Sequence, residues 1–198
     1  GIIATHAHED HIGALPYLYS RFPKTIYTTP FTGAVIEEKF RGHALQPNID
    51  RVNSYACRQI GPFLVTWLPI THSTPETHAL LIETPAGNLL HTADWKIDPN
   101  PVIGPEFQMQ QFSTATLPPV TAMVIDSTNA LKPGHSKSEQ LVSEGLKRVI
   151  QKSTGRVIIG CFASNIARLQ SIGSAAAQTQ RHLALAGRSL RRMTRIAK

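Results

Sequence analysis

The sequence predicts an α/β protein in two parts, and three observations carry that prediction. An apolar strand, Gly1-Ile2-Ile3-Ala4, runs into a histidine-rich cluster and then into an apolar helix. From Phe63 the pattern turns to antiparallel β, with Pro85-Ala86-Gly87 as a hairpin signal between two apolar runs. From Met123 onward strands alternate with helical stretches, which calls for a parallel sheet with helices packed on it. The break between the last two regimes falls near Lys132-Pro133-Gly134, so residues 1–137 form one expected domain and 138–198 the first part of another.

Taken in order, Ile2–Thr5 reads as a buried strand, and Ile12-x-x-Leu15-x-x-Leu18 marks a helix that tolerates Pro16 only in its first turn. Thr25–Thr28 is a short β-branched strand. Phe31–Arg41 is helical, with Val35, Ile36 and Phe40 on one side. Residues 42–61 read as a surface excursion with one short strand. Phe63–Pro69, Ala79–Thr84 and Asn88–Thr92 are strands, and the proline- and glutamine-rich stretch 98–119 is a loop or lid. In the second part, Ser136-x-x-Glu139 has the form of a capping box ahead of Leu141, Val142, Leu146, Val149 and Ile150 at helical spacing. Arg156–Cys161 and His182–Ala186 then read as strands, with Ser164–Gln178 a helix between them.

With 198 residues and 41 % hydrophobic content, the chain can bury a core and is not a disordered tail. No run is long and apolar enough to predict a membrane helix. Cys57 and Cys161 lie far apart with no CxxC pairing, so a reducing, cytoplasmic setting with two buried thiols is expected. Six of the net +7 charges fall in residues 181–198, leaving +1 for the rest. That patch suits a polyphosphate ligand and equally suits a solvated helix face. Both ends read as cut, and a fragment of a longer protein is the expectation.

Chemistry concentrates in Thr5-His6-Ala7-His8-Glu9-Asp10-His11. His6, His8 and Asp10 fall at i, i+2 and i+4, which in an extended segment points them to one side. A helix starting there swings His11 back toward a second metal. Imidazole with carboxylate suits zinc or manganese, and the lack of nearby cysteine argues against a closed structural zinc site. The run lies between a strand and a helix rather than in a low-complexity tract, which disfavours a merely histidine-rich loop.

Further motifs follow in order: Thr-His-Ala-His-Glu-Asp-His-Ile-Gly-Ala-Leu at 5–15, Thr-His-Ser-Thr-Pro-Glu at 71–76, His-Thr-Ala-Asp-Trp-Lys at 91–96, Asp-Ser-Thr-Asn at 126–129, Phe-Ala-Ser-Asn at 162–165 and Gly-Arg-Ser at 187–189. Together they resemble the metallo-β-lactamase-fold nucleases of the β-CASP group, most closely bacterial ribonuclease J. The resemblance implies a partial metallo-β-lactamase αββα sandwich, followed by the start of a β-CASP domain with a parallel α/β sheet. It implies two divalent ions, zinc foremost and manganese or magnesium as alternatives. One would be held by His6, His8 and His72, the other by Asp10 and His11, with Asp94 bridging. It further implies a metal-dependent ribonuclease, exo- or endonucleolytic, acting in RNA maturation and decay, with RNA as partner and self-association of the full-length protein.

Local chemistry bears on each role. His72 lies where a strand gives way to a loop. Asp94 follows an apolar strand, where a carboxylate is costly to bury without a cation or donor, though a turn aspartate fits there too. Catalytic duty would fall to Asp10, His11, Asp94 and Asp126. Asp126 is expected to orient a later histidine, against a capping role beside Ser127 and Thr128. Ser164, Asn165, Arg188 and Ser189 are candidate RNA contacts at two strand ends, where plain N-capping competes with a phosphate cradle. His91 is expected to pack in its strand or support the site, and His43, His78 and His182 to be surface or satisfied core residues. Two other classes stay open: another hydrolase on the same scaffold (a DNA-directed nuclease or a small-ester hydrolase) and a non-catalytic RNA-binding partner. Ala93 departs from the family's glycine, and the family's later histidines lie beyond residue 198.

Overall fold

Parallel pairing opens the chain. The computed structural model describes residues 1–198. In it β1 (Ile2–Ile3) pairs with β2 (Ile26–Thr28), and β2 with β3 (Ile49–Arg51), both in parallel. α1 (Glu9–Ile12) and α2 (Leu15–Arg21) lie between β1 and β2, with Pro16 in the first turn of α2, where its missing N–H costs nothing. α3 (Pro30–Arg41) crosses from β2 to β3. The second sheet has the order β4 (Cys57–Ile60), β5 (Phe63–Pro69), β6 (His78–Thr84), β7 (Gly87–His91), β8 (Ala122–Val124). Its pairings are antiparallel until β8 joins β7 in parallel.

Side-chain alternation along β5 and β6 splits the core into layers. Val65, Trp67 and Leu80 face Ile3, Tyr27 and Val52, so this cluster glues the two sheets together. Trp67 is wholly buried there, and cutting it to alanine is expected to cost roughly 3–5 kcal/mol. Leu68, Ala79, Leu81 and Leu90 point the other way, against Trp95, Phe107 and Phe112. The expected loop at 98–119 is therefore a packed cover with one 3-10 turn at Met109–Phe112. On the outer face of the first sheet, Ile12, Leu15, Tyr19, Ile26, Val35, Ile36 and Phe40 form the largest cluster.

α4 (Glu139–Lys152) and α5 (Ile166–Gln178) pack on each other, and α6 (Arg188–Ile196) lies on α3. Ile166 and Met193 carry α5 and α6 into the first cluster, so the two parts of the chain share a core.

Several expectations are corrected. Residues 42–61 supply two strands, β3 and β4, one in each sheet, and Val52 between them is fully buried. Tyr19 rather than Leu18 faces the core from α2. The 136–139 capping box does not form: Ser138 is the N-cap, its side chain accepting from the Leu141 N–H at 3.2 Å, which makes Glu139 the first helical residue. Leu141 and Val149 of α4 are exposed. Segments 156–161 and 182–186 run without ladder bonds. No neighbouring strand lies beside them, Ile158 is exposed, and the Arg181 guanidinium donates to the carbonyls of Ser153 and Gly155. Cys57 is exposed on edge strand β4 and Cys161 is half-buried, so neither thiol is a core residue.

Candidate metal centre

Strand β1 ends at the protein's interior, and the chain's next polar side chains are delivered there. His6 is fully buried, and its Nδ1 lies 3.1 Å from Thr5 Oγ1. With Nδ1–H donating to that hydroxyl, Nε2 keeps its lone pair and aims it into the site. His6 Nε2 and His72 Nε2 each stand 3.1 Å from His8 Nδ1. Ser73 Oγ, 3.1 Å from His8 Nε2, fixes which ring nitrogen of His8 faces inward. Thr5 and Ser73 escaped the sequence reading, although each is the immediate neighbour of a ligand candidate.

Asp94 Oδ2 lies 3.8 Å from His6 Nε2 and 3.3 Å from His11 Nε2. His11 Nε2 is in turn 3.6 Å from Asp10 Oδ2. Two groups result, His6-His8-His72-Asp94 and Asp10-His11-Asp94, each with donor atoms within 4.8 Å of one another. Asp94 belongs to both. All six metal-ligand residues expected from the sequence are thus brought together.

The donor set fits divalent cations on its own chemistry. Three imidazole nitrogens converging at about hydrogen-bond distance cannot all find donors among themselves. Bonds of 2.0–2.1 Å to a tetrahedral ion place ligand atoms about 3.3–3.4 Å apart, close to the spacings here. Burial holds His6 down to a pKa of about 2, helped by the neighbouring His11, His72 and His8. Burial also holds His72 at about 4, with His8 adding to the shift and Asp94 and Asp126 opposing it. His8 is lowered by burial, against the pull of Asp10 and Asp94. Neutral imidazoles are what a cation needs as ligands.

Loops around the site are pinned by named contacts. Glu76, at φ +56°, turns its carboxylate onto the N-terminus of α3 and accepts the Phe31 N–H at 2.8 Å. That is favourable for a helix dipole and anchors the loop that carries His72. Glu76→Ala is expected to cost about 1 kcal/mol, or a few degrees in Tm by thermal denaturation; an unchanged Tm would remove the anchor. Ala93 adopts φ +53°, so the departure from glycine imposes a left-handed alanine just before Asp94. Asp126 accepts from the Trp95 N–H at 3.4 Å and from the Thr128 N–H at 2.8 Å. Burial raises its pKa, but the Thr128 amide and hydroxyl and the Trp95 N–H outweigh that and lower it. His91 Nδ1 accepts the Ala93 N–H at 2.9 Å, a supporting contact, and His78 is a satisfied core residue between Ser54 Oγ and the Glu76 carbonyl.

The RNA-contact candidates lie apart from this centre. Asn165 caps α5, its side chain accepting from the Arg168 N–H at 2.8 Å, while Ser164 is half-buried beside it. Arg188 and Ser189 are exposed at the start of α6, whose N-cap Gly187 has φ +112° and offers no side-chain cap.

Residues 1–105 match the metallo-beta-lactamase superfamily. The chain belongs to that superfamily. Its residues 154–198 match the ribonuclease J beta-CASP domain. Proteins named ribonuclease J are similar along the whole chain: 40 % identity in Sinorhizobium meliloti and 39 % in Mycolicibacterium smegmatis, each covering 100 % of this chain. The Thermus thermophilus protein is 35 % identical over 98 % of it. The chain spans 35–36 % of the length of these relatives. Among solved structures, a protein of unknown function from Enterococcus faecalis shares the fold at TM-score 0.61 and 17 % identity, over 94 % of this chain and 51 % of that one.

Proposed function

We propose that this chain is the metal-centre portion of a ribonuclease that hydrolyses RNA phosphodiester bonds with two divalent cations. The observation that carries the reading is Asp94: one carboxylate shared by two donor groups, in a chain similar throughout to proteins named ribonuclease J. When bound, the pair of cations would supply a nucleophile from water at neutral pH and neutralise charge building on the phosphoryl oxygens. His6, His8 and His72 would hold one ion and Asp10 and His11 the other. Asp94 would serve both, its carboxylate offsetting part of the charge of the two cations. Asp126 would act by fixing the backbone beside Asp94 through the Trp95 N–H. Zinc is the proposed metal, the cytoplasm the proposed setting, and self-association of the full-length protein part of the same reading. The proposed division is residues 1–137 for the metal-centre domain and 138–198 for the start of the second.

Cleavage of matched RNA and DNA oligonucleotides by the full-length protein tests this function. RNA should be cut far faster; a preference for DNA would transfer the site to a different nuclease class, and an inert protein would favour a non-catalytic RNA-binding role. Ser164, Asn165, Arg188 and Ser189 are the proposed RNA contacts, and Arg188 makes the sharpest test. Arg188→Ala should weaken RNA binding several-fold and reduce the dependence of log K on log salt by about 1, with metal content unchanged. Loss of metal in that variant would place the arginine elsewhere.

A further inference from the structure

Asp94 sits on a short segment whose side chain is about one-third exposed, preceded by a left-handed alanine. Two of the backbone groups after it are held locally. The Lys96 N–H donates to the Thr71 carbonyl at 2.9 Å, next to His72, and the Thr71 hydroxyl donates to the Lys96 carbonyl. From outside, the segment is held by Asp126, which accepts the Trp95 N–H, and by the Lys96 side chain. Its ammonium lies 3.3 Å from Asp98 Oδ2 and 3.2 Å from Glu139 Oε1.

Glu139 is free for this because it opens α4 instead of closing a capping box. Its other oxygen accepts from Arg168 at 3.4 Å. Asp98, only 2 % exposed, takes the Glu139 N–H at 2.8 Å and the Asn100 N–H at 3.0 Å. Two cations and two anions thus form a neutral, mostly buried cluster. It runs from the Asp94 segment to the first turn of α4 and on to Arg168 in the first turn of α5, whose N–H is capped by Asn165. Such clusters are fully formed or costly, since removing one member leaves a buried charge unpaired.

We infer that Lys96 and Glu139 are positioning residues: their ion pair, extended by Asp98 and Arg168, sets Asp94 within the metal centre and ties it to the helices of the second part. This rests on the metal-centre reading proposed above. A loosened Asp94 weakens the ion held through Asp10 and His11 first, because that group has fewer ligands. Partners that orient ligands from outside the site typically change affinity by about 10–100-fold. Lys96 and Glu139 are therefore expected to act as a unit.

The test uses the full-length protein and Zn²⁺ alone, titrated against a chromophoric chelator. Lys96→Met should weaken the looser zinc site about tenfold and leave the tighter one near its original affinity, and Lys96→Arg should restore most of it. Glu139→Gln should weaken the same site, and the double variant should fall short of the product of the single effects. RNA cleavage at saturating zinc supplies a second readout, with kcat lowered more than KM. Unchanged zinc affinity with a lowered Tm would reduce the cluster to a structural ion pair and overturn the inference alone. Equal weakening of both sites, or fully multiplicative effects, would also overturn it. An unmodified protein that binds no zinc would remove the metal centre, and this inference with it.

Discussion

Asp94→Ala is expected to abolish cleavage and to release one equivalent of metal, the largest functional effect of any single change in this chain. The residue takes part in both donor groups, so its loss leaves one with three imidazoles and the other with only Asp10 and His11. A cation held by two side chains on a four-residue helix has little to compete with water. Each ion of a two-metal site contributes several kcal/mol of transition-state stabilisation, so a fall of about a thousandfold or more in kcat/KM is expected. Metal analysis after dialysis separates this from misfolding, since the first group should still retain its ion. A variant that turns over normally with two equivalents of metal would remove Asp94 from the centre. Asp94→Asn should lie between the two, because the amide keeps an oxygen ligand but loses the charge that offsets the cations.

Much of the centre was readable from the chain because its ligands obey short spacings. His6, His8, Asp10 and His11 lie within six residues, and a strand turning into a helix leaves few ways to arrange them. His72 and Asp94 were harder, since 64 residues separate His72 from His8. What made them legible was their place at strand ends together with the resemblance, and the structure brings both to the opening cluster. The misreadings share a different cause. Residues 49–60 lacked a long apolar run, yet β3 needs only three residues when β2 already presents a parallel edge. Leu18 fitted the helical period, but a break between α1 and α2 rotates the face and brings Tyr19 inward. Segments 156–161 and 182–186 have the composition of buried strands, and strand formation needs neighbours to supply the ladder. The Ser136–Glu139 pattern was a real cap read two residues early. Local pattern identified that a helix begins there, but only packing against Lys96 and Arg168 decides where Glu139 points.

Acid should unfold the metal-free protein at a pH where an ordinary protein with surface histidines would stand. Three of the converging imidazoles have folded-state pKa values below the unfolded value of 6.5: His6 at about 2, His72 at about 4, and His8 lowered. His78, buried between Ser54 and Glu76, is lowered as well. For a histidine depressed in this way the unfolded chain binds more protons, so stability is intact above pH 6.5 and is lost as pH falls toward the folded value. Each fully depressed histidine contributes a slope of about 1.4 kcal/mol per pH unit. Between about pH 6 and 4 the unfolded chain is protonated at both positions while folded His6 and His72 stay largely neutral, so the combined slope approaches roughly 3 kcal/mol per unit, against a typical total stability of roughly 5–15 kcal/mol. Urea unfolding of the metal-free protein at pH 7.5, 6 and 5 should therefore show a steep loss between the last two. The same series for His6→Ala should be flatter by about one histidine, even though that variant starts lower because a buried ring has been removed. Metal raises the whole curve, since it binds only the neutral ligands, and the gap between metal-loaded and metal-free stability should narrow as pH falls and protons compete for the same nitrogens. A pH-independent stability from 7.5 to 5 would mean that the imidazoles are not forced neutral by burial, and the convergence of His6, His8 and His72 on one point would then be wrong.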